Sequence, residues 1–408
     1  MQILVMALLY APDGGPSAPL YQMLCEQLTQ LGHEVTMIAA VPHYPSGTVP
    51  PAFRRGWITT THENGVQVIR VRVPSVNRSR LGWRLLQFGV YQLGAAAAAW
   101  GCRFEVAIIG NPALEVFLPF LIHIFLRRKP ALYSIHDVYP EVGVQLGVFR
   151  KRWIIGLVAM LERFCYRHSR LIRLSSPDFE KALSKVALPP QKLTLIYDWV
   201  DTDHIQPMPR RNAFSAEHGL DDSWVMLYAG NMGLSQGLET LLEAAALLQN
   251  EPGFRLVLVG EGTGRESLQA RAAELNLSNV TFLPFQPRAR LPEVLASGDA
   301  LVVSLKPGVE MASIPSKTWS ILAAGRPIVA IMDRGVLASL ITKAGAGLQV
   351  PPGDPMALVK AARALRADPE SAARQGAQGR AYVETHHTPQ GAARAFERCL
   401  LRIREDNR

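Results

Sequence analysis

The chain is 408 residues long, and at about 150 residues per domain this predicts two domains, each large enough to bury its own core. Apolar residues make up 48% and charged residues 19%, with a mean hydropathy of +0.09, which excludes a disordered chain, a coiled rod and a small stapled scaffold. Forty-three Lys and Arg against 34 Asp and Glu leave a net +9, an excess suited to phosphates, nucleic acid or anionic lipid.

Cys25, Cys102, Cys165 and Cys399 lie far apart with no C-x-x-C pair, so neither a zinc cluster nor a disulfide framework is expected. Met1-Gln2-Ile3-Leu4-Val5-Met6 has no basic leader or small-residue cleavage site, and a cytoplasmic location is expected. The longest apolar segments, 83–100 and 113–126, are broken by Arg84 or by Pro119 and His123. Both fall short of the roughly 20 clean apolar residues of a membrane span.

Residues 1–205 hold 21 basic and 14 acidic side chains, a net +7, whereas residues 206–408 hold 22 and 20, a net +2. Arg78, Arg80, Arg84, Arg127, Arg128, Lys129, Arg150, Lys151 and Arg152 flank the apolar segments. That combination predicts peripheral contact with the inner face of an anionic membrane; a solvated basic face around buried helices is the alternative. Nucleic acid is not an expected partner, because no helix-turn-helix, RNA-binding or zinc-finger signature accompanies the charge.

In chain order, residues 3–9 form an apolar run of strand length closed by Pro12-Asp13-Gly14-Gly15. Leu20, Leu24, Leu28 and Leu31 then mark one helical stripe that ends at Gly32, and a strand over 35–40 completes a β-turn-α-β unit. Further strands are predicted over 106–109, 132–135, 225–228, 255–259, 280–283, 300–304 and 328–331, with a helix over 265–275. Alternation of this kind in both halves predicts an α/β protein of two doubly wound domains. Pro207-Met208-Pro209-Arg210-Arg211-Asn212 reads as a linker, giving domains 1–205 and 206–389, with a helix over about 390–408 returning to the first. Open parallel sheets bind ligands beyond the carboxyl ends of their strands, so two facing sheets predict an interdomain cleft.

The loops after strands therefore hold the candidate chemistry. The Gly14-Gly15 turn brings bare backbone N–H groups toward an anion, or is a plain tight turn. Gly260-x-Gly262-x-Gly264 lacks the dinucleotide spacing, and no acidic ribose ligand follows about 20 residues on, so no nicotinamide or flavin cofactor is expected. His136-Asp137, with Tyr139-Pro140-Glu141, collects titratable groups directly after a strand; a capped loop is the alternative. Asp201-Thr202-Asp203 imitates a D-x-D metal clamp but sits at the domain junction, so no metal site is expected. His386-His387 read as exposed helix-boundary residues. Ser313-Ile314-Pro315-Ser316-Lys317-Thr318 opens an apolar helix ending at Gly325, where hydroxyls, proline and lysine make a candidate diphosphate cradle; a capped core helix with an exposed Lys317 is the alternative.

These motifs occur in a telling order. The first half reads Tyr10-Ala11-Pro12-Asp13-Gly14-Gly15, Gly32-His33-Glu34-Val35-Thr36, Pro42-His43-Tyr44-Pro45-Ser46-Gly47 and Ile135-His136-Asp137-Val138-Tyr139-Pro140-Glu141. The second reads Tyr228-Ala229-Gly230-Asn231-Met232-Gly233, Gln236-Gly237-Leu238-Glu239, Leu258-Val259-Gly260-Glu261-Gly262, Asn279-Val280-Thr281-Phe282-Leu283-Pro284, Ile314-Pro315-Ser316-Lys317 and Ala323-Ala324-Gly325-Arg326-Pro327. Over nearly the whole chain this resembles the retaining family-4 glycosyltransferases of the GT-B fold, in the bacterial surface-polysaccharide subgroup that includes fucosaminyl transferases and colanic-acid-type enzymes.

The resemblance implies two Rossmann-like domains facing a cleft, a UDP- or GDP-sugar donor held mainly by the second, and a glycan or polyprenyl-diphosphate-linked acceptor held by the first. The nucleotide-sugar is a substrate, and no cofactor is implied. By position, Gly14 and Gly15 would contact the diphosphate or the acceptor edge, His136 or Asp137 the donor sugar, Phe285 and Gln286 the base, and Gly262 the nucleotide. Gly230, Asn231, Gln236, Ser316 and Ser320 complete the donor set, Lys317 joins His136 and Asp137 as a catalytic candidate, and His43 and Tyr44 are acceptor candidates. Asp201 falls where the family has an Asn-Gly-Val-Asp segment.

Many relatives carry an arginine and a lysine in the glycine loop where this chain has Asn231 and Gln236. Their E-x7-E pair is replaced by Ala312 and Ser320, with Glu310 out of register. Lys317 is therefore expected to supply the missing positive charge, with leaving-group-assisted front-face transfer rather than a covalent intermediate. A non-hydrolysing sugar-nucleotide epimerase of the same fold and a noncatalytic assembly scaffold are the competing readings.

Overall fold

The computed structural model describes residues 1–44, 46–76, 81–145, 147–307 and 314–406. Pro45, Arg78, Arg80, Glu310, Ala312 and Ser313 lie outside the described residues. The chain divides into two compact units, Met1–Asp198 with Pro389–Arg408, and Trp199–Thr388.

The first unit holds eight strands: β1 (Gln2–Met6), β2 (Glu34–Ala40), β3 (Ile58–Glu63), β4 (Val66–Val71), β5 (Val106–Gly110), β6 (Ala131–Ile135), β7 (Leu171–Leu174) and β8 (Leu193–Leu195). They form one sheet in the order β3-β4-β2-β1-β5-β6-β7-β8, parallel throughout except for the antiparallel pair β3 and β4. Asn64 and Gly65 join that pair with φ of 49° and 83°, the left-handed conformations a tight hairpin requires. β1, β5 and β6 are apolar but for Gln2 and Ser134, because parallel strands are covered on both faces. Leu4 and Met6 of β1 share one core with Tyr91, Phe120 and Cys165 from the helical layer. The helix Pro389–Glu405 packs on the helix Ala18–Gln30 and on β5 and β6.

The second unit holds β9 (Trp224–Ala229), β10 (Phe254–Val259), β11 (Val280–Leu283), β12 (Ala300–Ser304), β13 (Ile328–Ile331) and β14 (Gly347–Val350), in the order β11-β10-β9-β12-β13-β14. All neighbouring pairs are parallel. Strand order reverses between β1 and β5 in the first sheet and between β9 and β12 in the second. Such reversals part the flanking loops and open a crevice at the strand ends.

The division falls at residue 198 rather than 205. Trp199, Val200 and Ile205 are buried, the Val200 N–H donates to the His387 carbonyl, and Arg380 donates to the carbonyls of Thr202 and Ile205, so this stretch belongs to the second unit. The Pro207 to Asn212 stretch is likewise not a free linker. Arg210 pairs with Asp299 at 2.9 Å, and Asn212 caps the helix Ala213–Glu217 in a capping box. His387 is buried rather than exposed, stacked on Trp319 at 3.7 Å between ring centroids.

Candidate functional site

In the second unit, loops after successive strands interlock at one edge of the sheet. The Gly230 N–H continues the ladder to the Val259 carbonyl, the Gly260 N–H reaches the Leu283 carbonyl, and Met232 exchanges backbone bonds with Glu261 and Gly264. Space is the reason for glycine here: a Cβ on Gly260 would stand 1.9 Å from the Gly230 carbonyl oxygen, and one on Gly262 would stand 2.6 Å from Asn231 Oδ1. Gly230 and Gly262 also hold φ of 148° and 155°. Phe285 and Gln286 follow β11; Phe285 is exposed, and Gln286 Nε2 donates to the Pro284 carbonyl.

Lys317 opens the helix Lys317–Ala323 beyond β12 and reaches across the strand-order reversal to β9. Its Nζ donates to Tyr228 Oη at 2.6 Å and to Gln236 Oε1 at 2.7 Å, and a Cβ on Gly230 would come within 3.2 Å of it. The Tyr228 hydroxyl in turn donates to the Asn231 carbonyl at 2.6 Å. Gly230, the Asn231 backbone, Gln236, Gly262 and Lys317 are thus gathered into one cluster. Both hydrogen-bond partners of Lys317, Tyr228 and Gln236, are uncharged, and desolvation pulls the ammonium down to about 7. Ser316 is exposed and its hydroxyl does not cap the helix; Ser320 is half-buried on the next turn.

Tyr228 was not anticipated. It is the penultimate residue of an ordinary apolar strand, and only its hydroxyl, placed where that strand meets the lysine, distinguishes it from a core aromatic.

In the first unit, the β1 loop is organised by Asp13 rather than by the glycines alone. Its buried carboxylate accepts the N–H groups of Gly15 at 3.1 Å, His43 at 2.8 Å and Tyr44 at 3.3 Å. The Gly15 amide is therefore engaged within the protein; Gly14 is exposed. His43, an expected acceptor contact, is only 2% exposed, and its Nδ1 donates to the Val41 carbonyl at 2.9 Å, so it supports the loop from inside while Tyr44 stays on the surface.

His136 stands beyond β6, its N–H held by Asn111 Oδ1 at 2.9 Å, while Asn111 Nδ2 donates to the Asp137 carbonyl. The ring lies between Tyr21, with Nε2 at 3.2 Å from its hydroxyl, and Asp198, with Nδ1 at 3.4 Å from Oδ1. Nδ1 also lies 3.4 Å from Arg173 Nη1, so with its proton on Nε2 the ring accepts from the guanidinium, and with its proton on Nδ1 it donates to Asp198. Asp198 also binds the fully buried Arg173 at 2.6 Å. Burial alone would raise its carboxyl, but Arg173 and then His136 outweigh that and hold it well below the usual range. Asp137 is half-buried beside this cluster. Farther inside, Glu162 accepts from the Ala113 N–H at 2.7 Å and Tyr133 at 3.0 Å, and burial pushes it up to about 7.

Asp201 accepts the His204 N–H at 2.9 Å and approaches Arg288 at 4.0 Å, the arrangement of a turn cap. No group of three metal-ligating side chains occurs among the described residues.

Two doubly wound parallel sheets with glycine loops at their strand ends define the GT-B class. Residues 15–199 match the glycosyl transferase 4-like domain, and residues 210–382 match glycosyl transferases group 1. The probable glycosyltransferase WbjE of Pseudomonas aeruginosa is 30% identical over 71% of this chain and 73% of its own. The putative colanic acid biosynthesis glycosyl transferase WcaI of Escherichia coli is 27% identical over 80% of this chain and 82% of its own. The chain belongs to the family-4 glycosyltransferases. Among solved structures, the sucrose-phosphate synthase of Thermosynechococcus elongatus superposes with a TM-score of 0.76 at 20% identity, covering 99% of both chains. Anabaena HepE, solved with UDP-glucose, superposes at 0.71 and 17% identity over 98% of this chain and 99% of its own; both likenesses concern the fold.

Proposed function

We propose that this glycosyltransferase builds a bacterial surface polysaccharide, moving a sugar with retention from a uridine or guanosine diphosphate donor to a glycan or lipid-linked acceptor. The observation that carries this reading is the Lys317 ammonium, set beside Gly230 and donating to Tyr228 and Gln236 at the strand-order reversal of the second sheet. A part-desolvated cation beside side-chain-free backbone suits a diphosphate, and it offsets the neutral Asn231 and Gln236. The colanic-acid assignment of WcaI and the UDP-glucose complex of HepE support the polymer and the donor class respectively.

In this reading the bond between the anomeric carbon and the diphosphate oxygen breaks as the acceptor oxygen attacks the same face. The acceptor proton passes to the departing diphosphate, whose growing charge Lys317 stabilises without a metal. Tyr44, His136 and Asp137 belong to the first unit and serve the acceptor and the transferred sugar. Phe285, Gln286 and Gly262 serve the nucleoside.

Calorimetric titration of the full chain with UDP and GDP tests the donor site. One of the two is expected to bind, with Lys317→Gln weakening it about 30-fold or more. Equal affinity in the variant removes Lys317 from the diphosphate site, and release of free nucleoside diphosphate only with acceptor present separates transfer from epimerisation.

A further inference from the structure

The first unit carries two helices that present large apolar side chains to solvent. Along the helix Leu81–Gly101, Leu86, Leu93 and Trp100 face solvent at helical spacing, whereas Gln87 is buried. Along Arg152–His168, Trp153, Leu157 and Met160 face solvent at i, i+4 and i+7, while the buried stripe includes Glu162. Trp100 and Trp153 are 66% and 67% exposed, among the most open large apolar side chains of the described residues. Large apolar groups repeated along the solvent side of a helix are not needed for its packing on the core.

The two helices are joined into one layer. The segment Ala113–Pro119, with its π-helical continuation Phe120–Leu126, packs against both, and Leu126 adds another exposed apolar group between them. Basic residues rim this layer. Arg127 and Arg128 follow Leu126, and Arg150, Lys151 and Arg152 precede Trp153, all on the surface. The Arg127 guanidinium lies 5.0 Å from the Trp100 ring centroid. Residues 81–170 hold 11 basic and 5 acidic side chains, and Glu162 among the latter is buried. No described helix is long and apolar enough to cross a membrane.

We infer that the solvent-facing stripes of Leu81–Gly101 and Arg152–His168 dock on an anionic lipid surface, tryptophan, leucine and methionine entering the interface while the arginine rim meets the headgroups. A second copy of this chain is the poorer occupant, because a two-fold contact through this layer would set the same basic rim against itself. A bilayer with negative headgroups satisfies both the apolar stripe and its charged border. The inference is independent of the donor-site reading.

Co-sedimentation of the full chain with vesicles of phosphatidylglycerol and phosphatidylcholine in equal parts, and with phosphatidylcholine alone, tests it. The protein is expected to pellet with the mixed vesicles and to be released by high salt. Trp100→Ser and Trp153→Ser each weaken binding about tenfold, and Arg127→Glu with Arg128→Glu removes the preference for phosphatidylglycerol; none of these changes UDP or GDP binding. In the unaltered protein, bilayer-borne bromine is expected to quench tryptophan fluorescence, which keeps the test decisive if a variant fails to fold. Absence of pelleting and quenching, variants that bind like the parent, or a concentration-dependent dimer that leaves vesicles unbound would each overturn the docking face.

Discussion

The two units share one architecture and differ in what they show to solvent. Residues 1–198 with 389–408 hold 26 basic and 15 acidic side chains, a net +11, whereas residues 199–388 hold 17 and 19, a net −2. The first also exposes Trp83, Trp100 and Trp153 on its helices, whereas the large apolar side chains exposed on α-helices of the second are Leu247 and Met356, on separate helices. The strand pattern is alike because both units solve the same burial problem, a parallel sheet covered on both faces. Surface charge is free of that constraint. The basicity is consequently a property of one unit, and the other holds a desolvated lysine, Lys317, at its strand-order reversal.

The comparison is most severely tested at that lysine. Lys317→Ala is expected to lower kcat/KM for transfer by about 10²–10³, the scale of losing one positioned donor to a developing anion, and a variant near parental turnover in a steady-state assay would break the assignment. Because the ammonium sits at about 7, donor affinity should also fall about tenfold per pH unit above 7 in a titration, a slope that Lys317→Gln abolishes.

The first unit depends instead on the pair of Arg173 and Asp198. Asp198→Ala leaves the buried guanidinium without its carboxylate and should cost about 3–4 kcal/mol in that unit's urea transition, while the second unit's transition stays in place. The native carboxyl is depressed, so its stabilisation is present at neutral pH and is lost as pH falls through and below the ordinary carboxylate range.

Glu162 works in the opposite direction. Its native value of about 7 lies above the ordinary 4.5, so its contribution is complete below 4.5 and is lost as pH rises through 7. Glu162→Gln should flatten that part of the stability profile by about 2 kcal/mol between pH 5 and 8. A profile unchanged by the substitution would show that the carboxyl is solvated. The smallest effect is expected at Tyr228→Phe, a threefold to tenfold rise in donor KM with little change in fold stability, because Gln236 still holds the lysine. A larger loss in kcat than in KM would place the hydroxyl nearer the chemistry.

Much of this was legible in the chain. Apolar runs such as 106–109 and 300–304 announce buried parallel strands by length and content, and the glycine loops stand where those strands end. The β3–β4 hairpin had its signal in Asn64-Gly65, between segments whose alternation is modest. By contrast, β7, β8 and β14 carry Arg173, Thr194 and Gln349 inside runs of four residues or fewer, so they lack the unbroken apolar content that marks the equally short β13.

Side chains that work through distant partners were not legible. Asp13 became the centre of the first loop because His43 and Tyr44, some 30 positions away, turn their N–H groups toward it. Arg210 looked like part of a linker until Asp299 lay beside it.

The sequence by itself determined the class of architecture and the uneven basic charge, and it singled out Lys317 at a helix start, because periodicity, composition and helix-start chemistry are local properties. Tertiary structure alone decided that Lys317 meets Tyr228 and Gln236, that Asp198 closes the first unit, and that apolar helical stripes face outward. Those outcomes follow from which strands become neighbours and which helix side they cover, and neither is encoded within a few residues of the side chain concerned.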